Sequence, residues 1–242
     1  SVALSADARL LYVAKNNGTI EKWDLVTSTL LGTATIGAPN GGDVLWMGLS
    51  ADGSTLWATN TTFGMGGRIH KVDTASMTKT FMSTNYDYPG RGALSRDGST
   101  LYVPLYTLGQ MAAVDTTTNA ITLFGSYTHA FSVAVTPDGS KLVLVNQDYS
   151  NRTTWFIDAA GRTTITTLVD PTGYWQEDVA VNATGTRAYT LNMNYANGHI
   201  GVIDMASYAW VTSIPLEVDG RVIACPIVVR PAASMNQVVR FE

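Results

Sequence analysis

Short apolar runs alternate with polar turns along the chain, and the same arrangement recurs at a nearly constant spacing. The clearest copy is LSADGSTLWATN, Leu49 to Asn60, in which two apolar runs flank an Asp-Gly pair. Asp-Gly between such runs predicts a tight hairpin, because glycine takes a positive φ without steric cost. Six aligned positions lie 45, 45, 41, 46 and 48 residues apart, which indicates a repeat array. These positions are Ser5, Ser50, Ser95, Thr136, Asn182 and Arg230.

Each repeat contains four short runs, which we label strands a to d. Strand a is almost wholly apolar, as expected for a strand covered on both faces. Strand b follows the Asp-Gly turn, strand c ends in Asp, and strand d alternates and is rich in Thr. No stretch has a 3.6-residue apolar period with caps, so no helix is predicted. Four strands in about 45 residues are typical of one β-propeller blade.

We therefore predict an all-β chain, a β-propeller of four-stranded antiparallel blades forming a single domain over residues 1–242. Six copies of strand a favour six blades, the last incomplete, because the sixth repeat ends after strand b. Five blades with an appended hairpin is the alternative. The predicted repeats are 1–45, 46–90, 91–131, 132–177, 178–225 and a partial 226–242.

A family resemblance rests on three of these repeats. SADGSTLWATN, SRDGSTLYV and TPDGSKLVLVN are each followed by a strand ending in Val-Asp or Ile-Asp and then by a polar turn. They resemble the YVTN-type β-propeller repeat, and the resemblance covers nearly the whole chain, with weaker matches in repeats one, five and six. Such propellers occur in surface-layer and cell-surface proteins of archaea and bacteria, and related ones in periplasmic oxidoreductases and lactonases. The resemblance implies the fold and an extracellular, cell-surface or periplasmic location, and it leaves the activity open.

Composition indicates a sizeable core under a surface of uncharged polar residues. Hydrophobic residues make up 45% of the chain and charged residues only 14%, against about 25% charged in typical globular chains. The net charge of -4, without a basic stripe, argues against a nucleic-acid partner. No run of 18 apolar residues predicts a membrane span. The single cysteine, Cys225, lies in an apolar run and is predicted to be buried rather than reactive.

Two sets of aspartates recur in the repeats, and we interpret both as structural. One set ends strand c and the other lies in the Asp-Gly turns, where an aspartate accepts hydrogen bonds from backbone N–H groups further along. The first set is Asp24, Asp73, Asp115, Asp158 and Asp204, and the second is Asp52, Asp97 and Asp138. Recurrence in several blades favours a structural device over a metal site.

Positions that break the repeat are better candidates for function. We predict a ligand-binding surface from the d–a loops, which precede strand a and converge near the axis of a propeller. Aromatic, acidic and basic side chains there would stack against and hydrogen-bond a small polar ligand. The predicted ligand-binding residues are Asp43, Trp46, Tyr88, Arg91, His129, Trp175, Glu177 and Asp178. Five of them, Trp46, Arg91, His129, Trp175 and Glu177, are predicted to line one mouth.

Asparagines at the ends of three b strands, Asn60, Asn146 and Asn192, have two interpretations. The first is that they cap the loop between strands b and c, because an asparagine side chain mimics a backbone turn. The alternative is a Ca²⁺ or other divalent site formed by Asn146, Glu177, Asp178 and Asn192. The histidines His70, His129 and His199 have no spacing that predicts a zinc site.

Two functions from different classes follow. The first is a non-catalytic extracytoplasmic module that needs no cofactor and binds a protein or a glycan at the cell surface. The alternative is a lactonase-type hydrolase with a divalent metal in the central channel. No catalytic residue is predicted, because no nucleophile or metal motif is present.

The chain begins at Ser1 inside the first repeat without a signal peptide, which we interpret as processing or trimming. The oligomeric state stays open.

Overall fold

A computed structural model describes residues 1–37, 43–61, 66–193 and 198–216. In this part of the chain there are twenty strands in five sheets, each of four strands in sequence order. The four strands of every sheet correspond to strands a to d of one repeat, so the predicted four-stranded unit is confirmed five times. The sixth repeat and Cys225 lie outside the described residues. No helix in the described ranges is long and apolar enough to cross a membrane.

The first three sheets follow the first three repeats. The first comprises β1 (Val2–Leu4), β2 (Leu10–Ala14), β3 (Thr19–Asp24) and β4 (Thr29–Thr35). The second comprises β5 (Asp43–Leu49), β6 (Thr55–Thr61), β7 (Arg68–Asp73) and β8 (Thr78–Met82). The third comprises β9 (Ala93–Leu94), β10 (Thr100–Leu105), β11 (Gln110–Asp115) and β12 (Ile121–Phe124).

The last two sheets have the same order. The fourth comprises β13 (Ala130–Val135), β14 (Lys141–Asn146), β15 (Thr153–Asp158) and β16 (Thr163–Val169). The fifth comprises β17 (Trp175–Val181), β18 (Arg187–Met193), β19 (Gly198–Asp204) and β20 (Ala209–Leu216). The chain divides inside β13 into two compact units, Ser1–Ser132 and the residues from Val133 onward.

The hairpin between strands a and b is built by one recurring set of hydrogen bonds. In the second sheet the hydroxyl of Ser50 donates to Oδ1 of Asp52 over 2.5 Å, and the N–H of Ser54 donates to the same oxygen over 3.0 Å. Gly53 follows with φ 71°. The same bonds recur around Asp97 and Asp138. The structural interpretation of these aspartates is confirmed.

The turn between strands c and d is closed by the aspartate that ends strand c. Oδ1 of Asp115 accepts the N–H groups of Thr117 and Thr118 over 2.9 and 2.7 Å. Four residues after each of these aspartates the chain adopts a left-handed conformation without glycine, at Ser28, Met77, Asn119, Arg162 and Tyr208. Thr116, which directly follows Asp115, links this turn to the a–b hairpin of the same sheet. Its Oγ1 donates to the carbonyl of Gly98 over 2.6 Å.

Apolar side chains of strands a, b and c fill the spaces between neighbouring sheets. Trp57, Leu101, Val103 and Val114 form one such core between the second and third sheets. Lysines add a polar link, because Lys71 on β7 donates to the carbonyl of Thr116 over 2.7 Å and Lys22 donates to that of Thr74 over 2.8 Å. Strands d are the most exposed, in agreement with their alternating pattern.

Gly98 provides a test of the hairpin turn. Its φ is 72°, and a Cβ added there would meet no atom within 4 Å, so any cost of a side chain comes from the backbone alone. We expect Gly98→Val to lower the free energy of unfolding by about 1–2 kcal/mol, because the left-handed region crowds a branched Cβ. Gly98→Asn should cost less, since asparagine tolerates this conformation. Urea unfolding measures the free energy of unfolding of the wild type and both variants. Equal values for the three proteins would contradict a left-handed conformation at Gly98.

The same turns predict a loss of stability in acid. The Ser50 hydroxyl, with the N–H and hydroxyl of Ser54, lowers the pKa of Asp52 to about 2, and equivalent bonds lower the pKa of Asp97 to about 2. An unfolded aspartate has a pKa of about 3.9. The stabilisation is therefore complete above that pH and is lost as the pH falls towards 2. In Asp97→Asn, melting temperatures between pH 5 and 2 should fall less steeply than in the wild type. The exposed Asp43→Asn is the control, and an unchanged slope in Asp97→Asn would contradict the prediction.

Candidate functional site

Four rings gather in the first unit, and we call Tyr88, Tyr106, His129 and Phe131 the aromatic cluster. Tyr106 is at its centre, with its ring centroid 5.2 Å from that of Tyr88 and 4.8 Å from that of His129. The Tyr106 and His129 rings are stacked at 28°, and Tyr88 is stacked on Phe131 at 29°. Phe131 is buried, whereas the other three rings are partly exposed. The cluster therefore presents aromatic surface on a buried base.

Arg91 completes this surface with a positive charge. Its Cζ lies 5.9 Å from the centroid of the Phe131 ring, within the range of a cation–π contact. The side chain is half-buried, and its Nε has no hydrogen-bond acceptor among the described residues. Because that Nε is itself buried, contact with an oxygen acceptor of a ligand would be made by the terminal N–H groups of the guanidinium.

Backbone bonds hold the segment that carries Tyr88 and Arg91. Gly90 N donates to the carbonyl of Pro104 over 2.7 Å, and Arg91 N donates to that of Phe131 over 2.7 Å. A Cβ on Gly90 would lie 2.1 Å from the Phe131 carbonyl oxygen, so only glycine permits this close approach. The geometry of the cluster is thereby set by backbone pairing on both sides of the segment.

One residue of the cluster, His129, and one beside it, Asp87, adopt an uncommon backbone conformation. Asp87 has φ 65° and His129 has φ 53°, both in the left-handed region. The other left-handed residues without glycine occupy turns of the repeat, whereas these two precede strand a. Such a conformation costs of order 1–3 kcal/mol and is concentrated at functional sites. Both segments that carry rings of the cluster therefore have an irregular backbone.

Two other predicted site residues of the first unit have different surroundings. Trp46 lies on β5 with its ring over Gly48, where a Cβ would come within 2.5 Å of it, and it packs against the core that contains Trp57. Asp43 is exposed at the start of β5. Of the five predicted residues of the first unit, the structure thus joins Tyr88, Arg91 and His129 in the aromatic cluster and its rim.

In the second unit, Trp175 and Glu177 lie together. Trp175 Nε1 donates to Oε1 of Glu177, and Gln147 Nε2 donates to the same oxygen over 2.6 Å. The ring of Tyr149 lies 4.4 Å from that of Trp175 at 53°. Trp175 is only 9% exposed, so it is part of the packing. Trp46, Arg91 and His129 belong to the first unit and Trp175 and Glu177 to the second, and the shared mouth of these five stays a prediction.

The assignment of several predicted residues to loops was wrong. Asp43 and Trp46 lie in β5, and Trp175, Glu177 and Asp178 lie in β17. Strand a is longer than its apolar core because a β-bulge lets pairing continue, with a register shift between Val44 and Trp46 in one strand and between Gln176 and Asp178 in the other. A bulge bends the strand and re-aims side chains, and no apolar pattern signals it.

The asparagines at the ends of strands b act as caps in two sheets. Asn60 Oδ1 accepts the N–H of Arg68 over 3.1 Å, and Asn146 Oδ1 accepts that of Thr153 over 3.0 Å, which confirms the cap interpretation there. Asn60 also contacts Nε2 of the buried His70 over 2.8 Å. Burial, with Lys79 and Arg68 nearby, lowers the pKa of His70 to about 3, so this histidine is neutral at physiological pH.

The alternative metal set, Asn146, Glu177, Asp178 and Asn192, has other hydrogen-bond partners. The oxygen of Asn146 binds the Thr153 N–H, that of Glu177 binds Trp175 and Gln147, and Oδ1 of Asp178 accepts the Val179 N–H over 3.0 Å. Asn192 Nδ2 instead contacts Nε2 of His199 over 2.9 Å. Among the described residues no group of three His, Cys, Asp or Glu side chains could hold a metal ion.

Sequence reasoning missed Tyr106, Gln147 and Tyr149. Tyr106 and Gln147 come directly after strand b, at the position occupied by Thr61 in the second repeat. The sequence does contain a signal for Tyr106. The position directly after strand b lies next to the predicted ligand-binding surface, and Tyr106 is the aromatic residue found there when the repeats are aligned.

Comparison with known proteins gives the fold. No family model and no curated protein matches the chain. Among solved structures, Kuenenia stuttgartiensis hydrazine synthase matches with a TM-score of 0.77 at 18% identity, over 89% of this chain and 65% of that one. The Myceliophteria thermophila Cps50 (Swd1) β-propeller domain matches with a TM-score of 0.69 at 14% identity, over 86% of this chain and 66% of that one. The chain thus spans just under two thirds of either length, and at these identities the likeness establishes one thing, that the fold is a β-propeller.

Proposed function

We propose that this chain is a non-catalytic binding module and that the aromatic cluster with Arg91 is its ligand site. The observation that carries the proposal is the partly exposed ring of Tyr106. This ring stacks on His129, whose backbone is in the left-handed conformation, and it also contacts the rings of Tyr88 and Phe131. A rigid scaffold with irregular loops that carry aromatic and charged side chains is the usual arrangement of a binding site.

The chemistry of the cluster favours a small polar ligand with an apolar face, such as a sugar ring. Aromatic side chains contribute by stacking, and Arg91 offers N–H donors to a hydroxyl or carboxylate oxygen. Three of the four rings are half-buried and Phe131 is buried, so the contact surface loses little conformational entropy when a ligand binds. A glycan is therefore the ligand class that these side chains suit best.

The cellular setting of the module is proposed from the repeat itself. The segments SADGSTLWATN, SRDGSTLYV and TPDGSKLVLVN resemble the YVTN-type repeat, which occurs in cell-surface and periplasmic proteins. A glycan or protein of the cell surface is then the natural partner.

Two substitutions test the site. Wild type, Tyr106→Ala and Arg91→Gln are assayed against an immobilised panel of neutral and acidic oligosaccharides, with dissociation constants from calorimetry. We expect Tyr106→Ala to weaken binding about three- to tenfold, since aromatic contacts are worth about 0.5–1.5 kcal/mol. Arg91→Gln should weaken it about ten- to a hundredfold, since charge-assisted bonds are worth about 1.5–3 kcal/mol.

The matched control is Val26→Ala, which shortens an exposed side chain in a c–d turn of the same unit. It should bind as tightly as the wild type, and all four proteins should have similar melting temperatures. If no oligosaccharide binds, or if both cluster variants bind like the wild type, the proposed site is wrong.

A further inference from the structure

A tryptophan bonded to a glutamate occurs once in each unit, and the two pairs differ in what else binds the carboxylate. In the first unit Trp23 Nε1 donates to Oε2 of Glu21 over 3.0 Å. In the second unit Trp175 Nε1 donates to Oε1 of Glu177. In both pairs the two residues are two positions apart on one strand. Each indole therefore fixes one oxygen of its carboxylate and leaves the other for a second partner.

In the first unit this second partner is an ammonium group. Nζ of Lys15 lies against Oε1 of Glu21 while the indole of Trp23 holds Oε2. The bond from Lys15 and the bond from Trp23 both lower the pKa of Glu21. The molecule itself thus contains an example of what the remaining oxygen of such a carboxylate binds.

Glu177 has no such partner in the described part of the chain. Its Oε1 accepts Trp175 Nε1 and Gln147 Nε2, whereas Oε2 has neither a donor nor a cation within ion-pair distance among the described residues. Arg152, the cation of the neighbouring loop, donates Nη1 to the carbonyl of Tyr149 over 3.3 Å. The carboxylate is therefore held in position by two donors, with one oxygen open to a positively charged ligand.

An exposed aromatic ring borders this carboxylate. Tyr149 is 48% exposed, and its ring centroid lies 4.4 Å from that of Trp175, the indole that binds Glu177. A cation close to an aromatic ring is attracted by the ring electrons, in addition to its ion pair with a carboxylate. The carbon chain attached to an ammonium group would also find apolar surface on the same ring.

The two segments that form this region carry more negative than positive charge. Residues 147–152 and 170–178 together contain four acidic residues and one basic residue, Arg152. A surface of this sign favours a cation over an anion. Gln147 contributes a further acceptor, because its NH₂ group is bonded to Glu177 and its amide oxygen is left for another N–H group.

We propose that Glu177, Gln147, Tyr149 and Trp175 form a binding site for a primary ammonium group on an alkyl chain. Oε2 of Glu177 forms the ion pair, as Oε1 of Glu21 does with Lys15. The amide oxygen of Gln147 accepts a second N–H, and the carbon next to the nitrogen packs on Tyr149. The site belongs to the second unit and is independent of the ligand proposed for the aromatic cluster.

The test is an NMR titration of the whole chain with n-butylammonium, followed through the indole N–H resonances. The resonance of Trp175, assigned by its loss in Trp175→Phe, should shift and saturate, because this N–H is bonded to the carboxylate that receives the ligand. The resonance of Trp23 should stay in place, since Lys15 already binds Glu21. 1-Butanol, which has the same chain without the charge, should shift neither resonance.

Two variants and a matched control locate the binding. Glu177→Gln should weaken it at least tenfold, because the ion pair is lost while an oxygen remains for the indole. Tyr149→Ala keeps the test decisive if that variant fails to fold, because it alters an exposed loop residue. It should weaken binding about two- to fivefold at an unchanged melting temperature. Glu21→Gln makes the same change in the other pair and should bind like the wild type.

A second probe distinguishes the two sources of such a group. Tighter binding of a lysine blocked at both backbone ends than of n-butylammonium would identify the ligand as a lysine side chain, and weaker binding would identify it as a small amine. The proposal is overturned by absence of a saturable shift at Trp175, by equal shifts at Trp175 and Trp23, or by unchanged binding in Glu177→Gln. Glu177 would then serve only to hold Trp175 and Gln147 in place.

Discussion

The aspartate carboxylate that closes the c–d turns and four of the five described a–b hairpins is the interaction on which the rest of the molecule depends. In the a–b hairpin it accepts a serine or threonine hydroxyl and a backbone N–H, and in the c–d turn it accepts N–H groups two and three residues further on. These bonds fix the lengths of both turns. Because side chains alternate along a strand, a fixed turn length also decides which face of each strand enters the core.

A scaffold held in this way lets other positions vary. The turn aspartates, the glycines after them and the apolar strands recur from sheet to sheet. The aromatic cluster and the group of Asp170, Thr172, Asn192 and His199 each occur once in the described residues, and both lie where strand a begins or strand c starts. Within each unit, the unrepeated polar and aromatic side chains thus lie at the ends of strands, where a rigid scaffold leaves the sequence freest to vary.

The two groups differ in how far they are exposed. The aromatic cluster presents partly exposed rings and a guanidinium, which suits a polar organic molecule. The group around His199 is buried, and its polar side chains contact one another, with Asp170 Oδ2 lying 3.8 Å from His199 Nε2. In both groups the residues come from separate segments of the chain, and each group is assembled from three or more strands or loops.

The sequence by itself determined the four-stranded repeat, the turns and the structural role of the repeated aspartates, because these depend on contacts within one repeat and on backbone geometry. It also identified Tyr88, Arg91 and His129 as candidate residues. Only the tertiary structure decided that Tyr106 lies between them, that Trp46 and Trp175 belong to the packing, and that Asp170 approaches His199. The reason is physical: bulges shift the register without an apolar signal, and contacts between residues 29 positions apart arise when neighbouring sheets pack.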